Sequence, residues 1–482
     1  GMQQCQSGVC TGGSGSLEIS GVALGNTDQI HASIPATVAL SSATPIVEIP
    51  VLMERVDATP LRGTTVTFHI SPNIVLAAAV RENTMFSSIS NSQMFVIDNG
   101  GGSYTVDCAL LGPGCGPTAS GSLFSVFVTR APGATDGMAY LSIDGAEAAG
   151  CTAGPISTSP GGRAYIVLDN SPPNAVTGLA ATQVKSGNPV PGQTTRVAVS
   201  WSPLPLDASL QLYRAPFGNY PSYDNGAGAG SVPPIPSYPP GGRWSPVSLT
   251  CSATPVGTED CDDLTSSRDF YYYVAFVRDR AGNVSPVSAM TAGTLNYHLG
   301  DVAGGGAVCA GDDQVSTADI SALGSSYGVT FPVGSALQCL DVGPTSTGTV
   351  DGLPLTDQRL SFRDLILYAI NYSLVSMPAS RPQAAAVNAL RVASAAVPAV
   401  GQTFDVALEM EGAGDVQGLS AQLAWDASVV EPVAVNEGEL IARQGLPGVV
   451  LSPGPGGVDA AMLGVGGGIA GSGTLAKLTF RV

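Results

Sequence analysis

Thr65-Val66-Thr67-Phe68-His69-Ile70 alternates polar and apolar side chains without a break. Successive side chains of an extended chain point to opposite faces, so this stretch reads as a strand with Val66, Phe68 and Ile70 turned to a core. The same grammar recurs on both sides of it. Ile46-Val47-Glu48-Ile49-Pro50-Val51 precedes it; Leu123-Phe124-Ser125-Val126-Phe127-Val128 and Ala139-Tyr140-Leu141-Ser142-Ile143 follow. Short alternating runs bounded by Gly and Pro predict a β-sandwich over residues 16–170. Residues 1–15, rich in Gly, Ser and Gln, read as a flexible tail.

Composition points the same way. The chain has 482 residues, enough for several cores, with 61 Gly and 36 Pro to punctuate turns and discourage long helices. Charged residues are only 12%, and the formal charge is −18. Lysine occurs only at Lys185 and Lys477, so no basic patch is available to neutralise phosphates. This excludes a nucleic-acid partner and disfavours anionic membranes; divalent cations suit the charge better. No apolar run is long enough to span a bilayer. Gly1-Met2 reads as a scar before a trimmed start.

Nine cysteines fall into close pairs, Cys5/Cys10, Cys108/Cys115 and Cys251/Cys261, with Cys309/Cys339 a further candidate and Cys151 left over. None forms a C-x-x-C and no His completes a zinc site. Such pairs in a Gly-rich β protein read as disulfides and imply an oxidising compartment.

A boundary falls at Asp169-Asn170-Ser171-Pro172-Pro173-Asn174. The next module, 171–296, contains Arg196-Val197-Ala198-Val199-Ser200-Trp201, Leu210-Gln211-Leu212-Tyr213-Arg214 and Phe270-Tyr271-Tyr272-Tyr273-Val274-Ala275-Phe276-Val277. Asp279-Arg280-Ala281-Gly282-Asn283 follows the last strand. The Pro-Pro opening, the core Trp and the aromatic strand leading into Ala-Gly-Asn resemble a fibronectin type III domain. A Pro/Gly/Tyr-rich insertion near 217–245 offers either loop packing or a sugar-stacking platform.

Beyond a Pro/Ala linker at 377–387, residues 388–482 read as another β-sandwich. Val400-Gly401-Gln402 opens it, Leu423-Ala424-Trp425-Asp426-Ala427-Ser428-Val429-Val430 and Glu437-Gly438-Glu439-Leu440-Ile441 follow, and Gly471-Ser472-Gly473-Thr474-Leu475 leads into its last strand. In order and spacing these resemble a cohesin, with the expected closing strand missing, as if truncated. The first module resembles a cohesin through Val47-Glu48-Ile49-Pro50-Val51, Met85-Phe86-Ser87-Ser88 and Gly121-Ser122-Leu123-Phe124.

Residues 297–376 follow a different pattern, stated twice. Asp301-Val302 precedes Asp312-Asp313-Gln314-Val315-Ser316-Thr317-Ala318-Asp319, and Leu340-Asp341-Val342 precedes Asp357-Gln358-Arg359-Leu360-Ser361-Phe362-Arg363-Asp364. Each final Asp opens a helical run: Ile320, Leu323 and Tyr327 share one face, as do Phe362, Leu365, Ile366, Ala369 and Ile370. The duplicated loop–helix unit resembles a dockerin, whose loops bind Ca2+ through oxygen ligands. The resemblance assigns Asp301, Asp312, the Gln314 carbonyl, Ser316 and Asp319 to a first metal site. Asp341, Asp357, the Arg359 carbonyl, Ser361 and Asp364 form the second. Both loops carry insertions, and Asp313 and Gln358 stand where such loops usually place Gly. Ser316 and Ser361 also sit three residues before an Asp, a capping-box spacing that explains these residues without metal. A dockerin selects its cohesin through positions that are Thr317-Ala318 and Phe362-Arg363 here, and a cohesin-like neighbour in the same chain makes an intramolecular contact the expectation.

Catalytic signatures are missing. His31, His69 and His298 are dispersed, and H-E-x-x-H does not occur. Gly466-Gly467-Gly468-Ile469-Ala470-Gly471 matches G-x-G-x-x-G by letter alone and reads as a hairpin loop. Asn283-Val284-Ser285 and Asn371-Tyr372-Ser373 are formal glycosylation sequons.

The expected fold is mainly β: tandem sandwiches, jelly-roll cohesin-like and immunoglobulin-like type III, with a small α-helical dockerin-like calcium module. The resemblances imply a secreted or cell-surface protein of bacterial, cellulosome-like type. It would be monomeric and non-catalytic, serving in protein assembly or polysaccharide handling. The alternatives are a carbohydrate-binding accessory protein and a non-catalytic part of a glycan-degrading enzyme.

Overall fold

The structure is a computed structural model; it describes residues 27–33, 38–56, 58–152, 154–184, 196–205, 208–223, 230–248, 250–251, 259–265, 267–304, 309–372, 387–464 and 466–482. The tail, Cys5, Cys10 and nearly all of the 377–387 linker lie outside these residues. Two compact units emerge: residues 1–175 with 204–210 and 276–286, and residues 176–203 with 211–275 and 287–482.

The first unit holds strands β1 (Asp28–Ala32), β2 (Ala39–Leu40), β3 (Val47–Glu54), β4 (Leu61–Ile70), β5 (Ile74–Leu76), β6 (Arg81–Glu82) and β7 (Ser92–Gly100), with the short helix α1 (Thr84–Ser87) before β7. It continues with β8 (Ser103–Leu110), β9 (Gly121–Arg130), β10 (Gly137–Gly150), β11 (Pro155–Ile156), β12 (Thr158–Pro160) and β13 (Arg163–Leu168). One sheet runs β12-β1-β3-β9-β5, with β6 on β9; the other runs β2-β13-β10-β4-β8-β7, with β11 on β10. Val66, Phe68 and Ile70 of β4 are buried, as their alternation predicts. They join Ile49, Val51, Phe124, Val126, Leu141 and Ile166 in one core drawn from both sheets.

Asp28 and Arg55 are buried together at the sandwich end, with Arg55 Nε donating to Asp28 Oδ2 at 2.6 Å. The guanidinium also donates to the Pro117 and Thr59 carbonyls, so the buried charge is paired and hydrogen-bonded. The expected Cys108/Cys115 bridge does not form: the disulfide is Cys115–Cys151, and Cys108 is a free thiol. Closeness in sequence misled here because alternation turns Cys108 of β8 into the core at 1% exposure, while Cys115 lies in the loop beyond. Asn283, a sequon residue, is also buried; its side chain donates to the Asp169 carbonyl and to Asp279 Oδ2.

The following strands are β14 (Ala180–Gln183), β15 (Val197–Trp201), β16 (Ser209–Pro216), β17 (Ser245–Pro246), β18 (Thr250–Cys251), β19 (Glu259–Asp263), β20 (Phe270–Arg278) and β21 (Thr294–Leu295), which belong to the second unit except for the start of β16 and the end of β20. They form two four-stranded sheets, β14-β15-β19-β18 and β17-β16-β20-β21. Cys251 and Cys261 are register partners across β18 and β19. The aromatic residues of the 217–245 insertion divide between core and surface, with Tyr238 exposed. Phe217, Tyr223 and Trp244 are buried, and Tyr220 packs edge-on against Tyr223 and Tyr297.

Helices α2 (Thr317–Ser325) and α3 (Phe362–Asn371) follow, then β22 (Ala389–Ser394), β23 (Thr403–Ala413), β24 (Gly418–Gln422) and β25 (Glu431–Glu437). Helix α4 (Glu439–Ala442), β26 (Gly448–Leu451), β27 (Gly457–Met462) and β28 (Ala470–Arg481) complete the unit. The last sandwich pairs β22-β23-β28-β25 with β24-β27-β26. The glycine run near 466–471 is not a hairpin: it carries the chain from β27 in one sheet to β28 in the other. Strand β28, the last strand of the module, lies inside its sheet between β23 and β25.

Candidate functional site

The duplicated pattern folds as a duplicated structure. Ser316 and Ser361 are the N-caps of α2 and α3, and both helices open on a complete capping box closed by Asp319 and Asp364. Asp319 Oδ1 accepts from Val302 N at 2.8 Å and Ala303 N at 2.7 Å. Its Oδ2 accepts from Ser316 N at 2.7 Å and Ser316 Oγ at 3.0 Å. Asp364 repeats this with Val342 N and Gly343 N, both at 2.9 Å, on Oδ1, and with Ser361 N at 2.8 Å and Ser361 Oγ at 3.4 Å on Oδ2. The early Asp-Val of each half is therefore tied to the last Asp of the same half.

The first aspartates are equivalent too. Buried Asp301 accepts from Asp312 N at 2.8 Å and Asp313 N at 3.0 Å. Buried Asp341 accepts from Gln358 N at 2.7 Å. Asp313 and Gln358 take φ of 65° and 58°, the left-handed region that a Gly would occupy at least cost. Val315 and Leu360, beside the Gln314 and Arg359 carbonyls, are buried and anchor the loops. The Cys309–Cys339 disulfide joins the two halves. Tyr368, fully buried, donates to the Leu340 carbonyl at 3.3 Å.

Whether this donor set suits Ca2+ follows from its lone pairs. A carboxylate offers about four acceptor sites, and Asp319 and Asp364 each accept four hydrogen bonds from their own half. Asp312 and Asp357 are exposed and accept from Gln314 N at 3.2 Å and Arg359 N at 3.1 Å. Among the described residues, no three His, Cys, Asp or Glu side chains come together as a ligand group. As arranged, the first half does not fit a calcium ion, and one in the second half would require Asp364 to release hydrogen bonds held here. Burial pushes Asp301 up to about 6, against the opposing pull of Arg268 and the Asp312 N–H. Burial likewise pushes Asp364 up to about 6, against the pull of the N–H groups on it.

Both helices meet the last sandwich. Strand β27 is buried along its whole length. Val458, Ala460 and Met462 enter the sandwich core, so the alternate residues Gly457, Asp459 and Ala461 face the other way. Helix α3 lies against β24 and β27 on that second face. A Cβ on Gly418 would come within 2.5 Å of Ile366 Cδ1, and one on Gly324 within 3.5 Å of Leu451 Cδ2. Tyr327 Oη donates to buried Asp459 Oδ2 at 2.7 Å, and Gly464 N donates to the Ala369 carbonyl at 2.7 Å. The positions expected to choose a partner are elsewhere: Thr317, Ala318 and Arg363 are exposed and Phe362 is half-buried. The contact uses later residues, Tyr327 just beyond α2 and Ile366 and Ala369 on α3.

Of these, Ile366 and Ala369 lie on the helical face legible from sequence. Tyr327 does too, but its acceptor Asp459 does not announce itself. The one signal for it is the small-residue run Gly457-Val458-Asp459-Ala460-Ala461, which lacks the polar alternation of a half-exposed strand.

A cohesin domain family model matches residues 389–482. No curated protein matches the chain. Among solved structures, a non-cellulosomal cohesin from the hyperthermophilic archaeon Archaeoglobus fulgidus is 15% identical, with a TM-score of 0.24, covering 30% of this chain and 92% of that one. The cohesin module of a family 33 glycoside hydrolase from Clostridium perfringens is 10% identical, with a TM-score of 0.25, covering 30% and 98%. A type I cohesin–dockerin complex from Clostridium thermocellum is 12% identical, with a TM-score of 0.26, covering 30% and 95%. The family-model match identifies residues 389–482 as a cohesin-type β-sandwich, a non-catalytic module.

Proposed function

We propose that the protein is a non-catalytic extracellular scaffold in which the duplicated segment 297–376 acts as a dockerin-like element seated on the chain's own cohesin-type module. The observation that carries this is the two-sided burial of β27: one face fills the sandwich core, and the other is covered by α3, with Tyr327 just beyond α2 donating to Asp459. A strand in an antiparallel sheet ordinarily leaves one face to solvent. Here that face holds small residues, Gly418, Gly457 and Ala461, which let a helix approach closely. The type III-like module and the first sandwich would then be carried as a spacer and a display domain in an assembly of cellulosome type at a polysaccharide. The disulfides Cys115–Cys151 and Cys309–Cys339 fit an oxidising, extracellular setting. Among the described residues, no helix is long and apolar enough to cross a membrane.

The docking is tested by cutting the connection. A protease site placed within 377–387 of the full chain leaves two pieces with no disulfide between them, because every cysteine precedes that segment. The pieces should co-elute in gel filtration and separate when Ile366→Asp is added. Separation of the cleaved pieces with Ile366 intact would refute the reading.

A further inference from the structure

We infer that the first loop of the duplicated segment is closed by the guanidinium of Arg268, in the place where a divalent cation would otherwise sit. Asp301 is 1% exposed, and a carboxylate so buried needs a counter-charge. Arg268, which precedes β20, supplies it: Nη2 pairs with Asp301 Oδ2, and Nη1 donates to the Asp301 carbonyl at 2.5 Å. One planar group thus holds the side chain and the main chain of the residue expected to be the first metal ligand, the forked geometry that Arg provides and Lys does not. The Arg268 side chain is 12% exposed, and its Cζ lies 5.4 Å from the centre of the Tyr297 ring.

The rest of the loop is built around this pair. Asp301 Oδ1 and Oδ2 also take the N–H groups of Asp312 and Asp313. Gly311 passes so close that any side chain there would collide with both Arg268 Nη2 and Asp301 Oδ1. Asp319, the expected last ligand, is filled by four donors of its own half. The charge of Asp301 is paired, the space beside it is filled and the lone pairs of Asp319 are taken up, all without a metal. An arginine differs from Ca2+ in one consequence: it cannot be chelated or exchanged, so the first half is permanently closed. This inference is independent of the docking reading, since it concerns Asp301 and Arg268 and not the β27 face.

The test uses the full chain, with calcium chloride and EDTA as the probes, followed by thermal melting and titration calorimetry. The melting temperature should be the same in EDTA and in millimolar calcium. Equally supportive would be a calcium response that survives Asp312→Ala and disappears in Asp357→Ala, which places metal in the second half alone. Arg268→Met, which keeps the apolar stem and removes the charge, should lower the melting temperature by several degrees. A wild-type calcium response abolished by Asp312→Ala would overturn the inference, and so would an Arg268→Met protein that melts like wild type. If Arg268→Met does not fold, the Asp312→Ala comparison still decides.

Discussion

Cys108 shows how much a single position can hide from sequence. It is a free, buried thiol, and burial, reinforced by Glu82 and Asp107, pushes it up to about 12. The neutral thiol is therefore the form the fold favours. The unfolded chain loses this proton near its ordinary value, about 8.5, so between there and about 12 the folded state binds more protons and stability falls as pH rises. Alkylation at pH 8 should leave Cys108 unmodified in the native protein and modify it in urea, as intact-mass measurement will show. Rapid native labelling would contradict the burial. The six strand-like residues Thr65–Ile70 were legible because alternation states which side each residue faces. Cys108 obeys the same rule, but pairing by nearness in sequence ignores direction, and Cys151 was overlooked as the partner of Cys115.

At the scale of elements, α2 and α3 were readable from their apolar periodicity and from the Ser-x-x-Asp that opens each. The capping-box reading accounts for what Ser316, Asp319, Ser361 and Asp364 do in the structure. The cap and the buried acceptor carry different energies, and this separates them experimentally. Ser361→Ala should cost about 1 kcal/mol, the usual value of an N-cap hydroxyl. Asp364→Ala should cost more, about 1–3 kcal/mol for each buried donor left unpaired, since Val342 N, Gly343 N and Ser361 N all lose their acceptor. Urea unfolding of the two variants in EDTA measures both. Equal losses would mean that the Val342–Gly343 link carries no weight. Asp313 and Gln358, by contrast, could only be flagged as odd replacements for Gly; their positive φ belongs to the loop, not to their residue type.

At the scale of the whole chain, the mainly β character and the cohesin-like last module were legible, and the contacts between distant segments were not. Arg268 and Asp301 are separated by 33 residues, and Tyr327 and Asp459 by 132. No local pattern encodes such pairs; they form because each buried charge or hydroxyl needs a partner once its own segment has folded. The Cys309–Cys339 bridge works at this scale too, closing a separation of 30 residues across the two halves. Its removal by the double change Cys309→Ser and Cys339→Ser should cost about 2–4 kcal/mol, read as a lower midpoint in denaturant under oxidising conditions. An unchanged midpoint would show that hydrogen bonding alone holds the halves together.

The position of β28 has a further consequence, for the order of events during synthesis. Strands β23 and β25 both pair with β28, whose residues are made last of the three. Until residues 470–481 clear the ribosome, β23 and β25 have no shared neighbour, and the sheet opposite β27 is incomplete. Helix α3 emerges roughly 100 residues earlier and α2 roughly 150, and both must wait with their apolar face uncovered. Nascent chains stalled before residue 470 should therefore be the ones that attract chaperones, and release of the last strand should end that exposure.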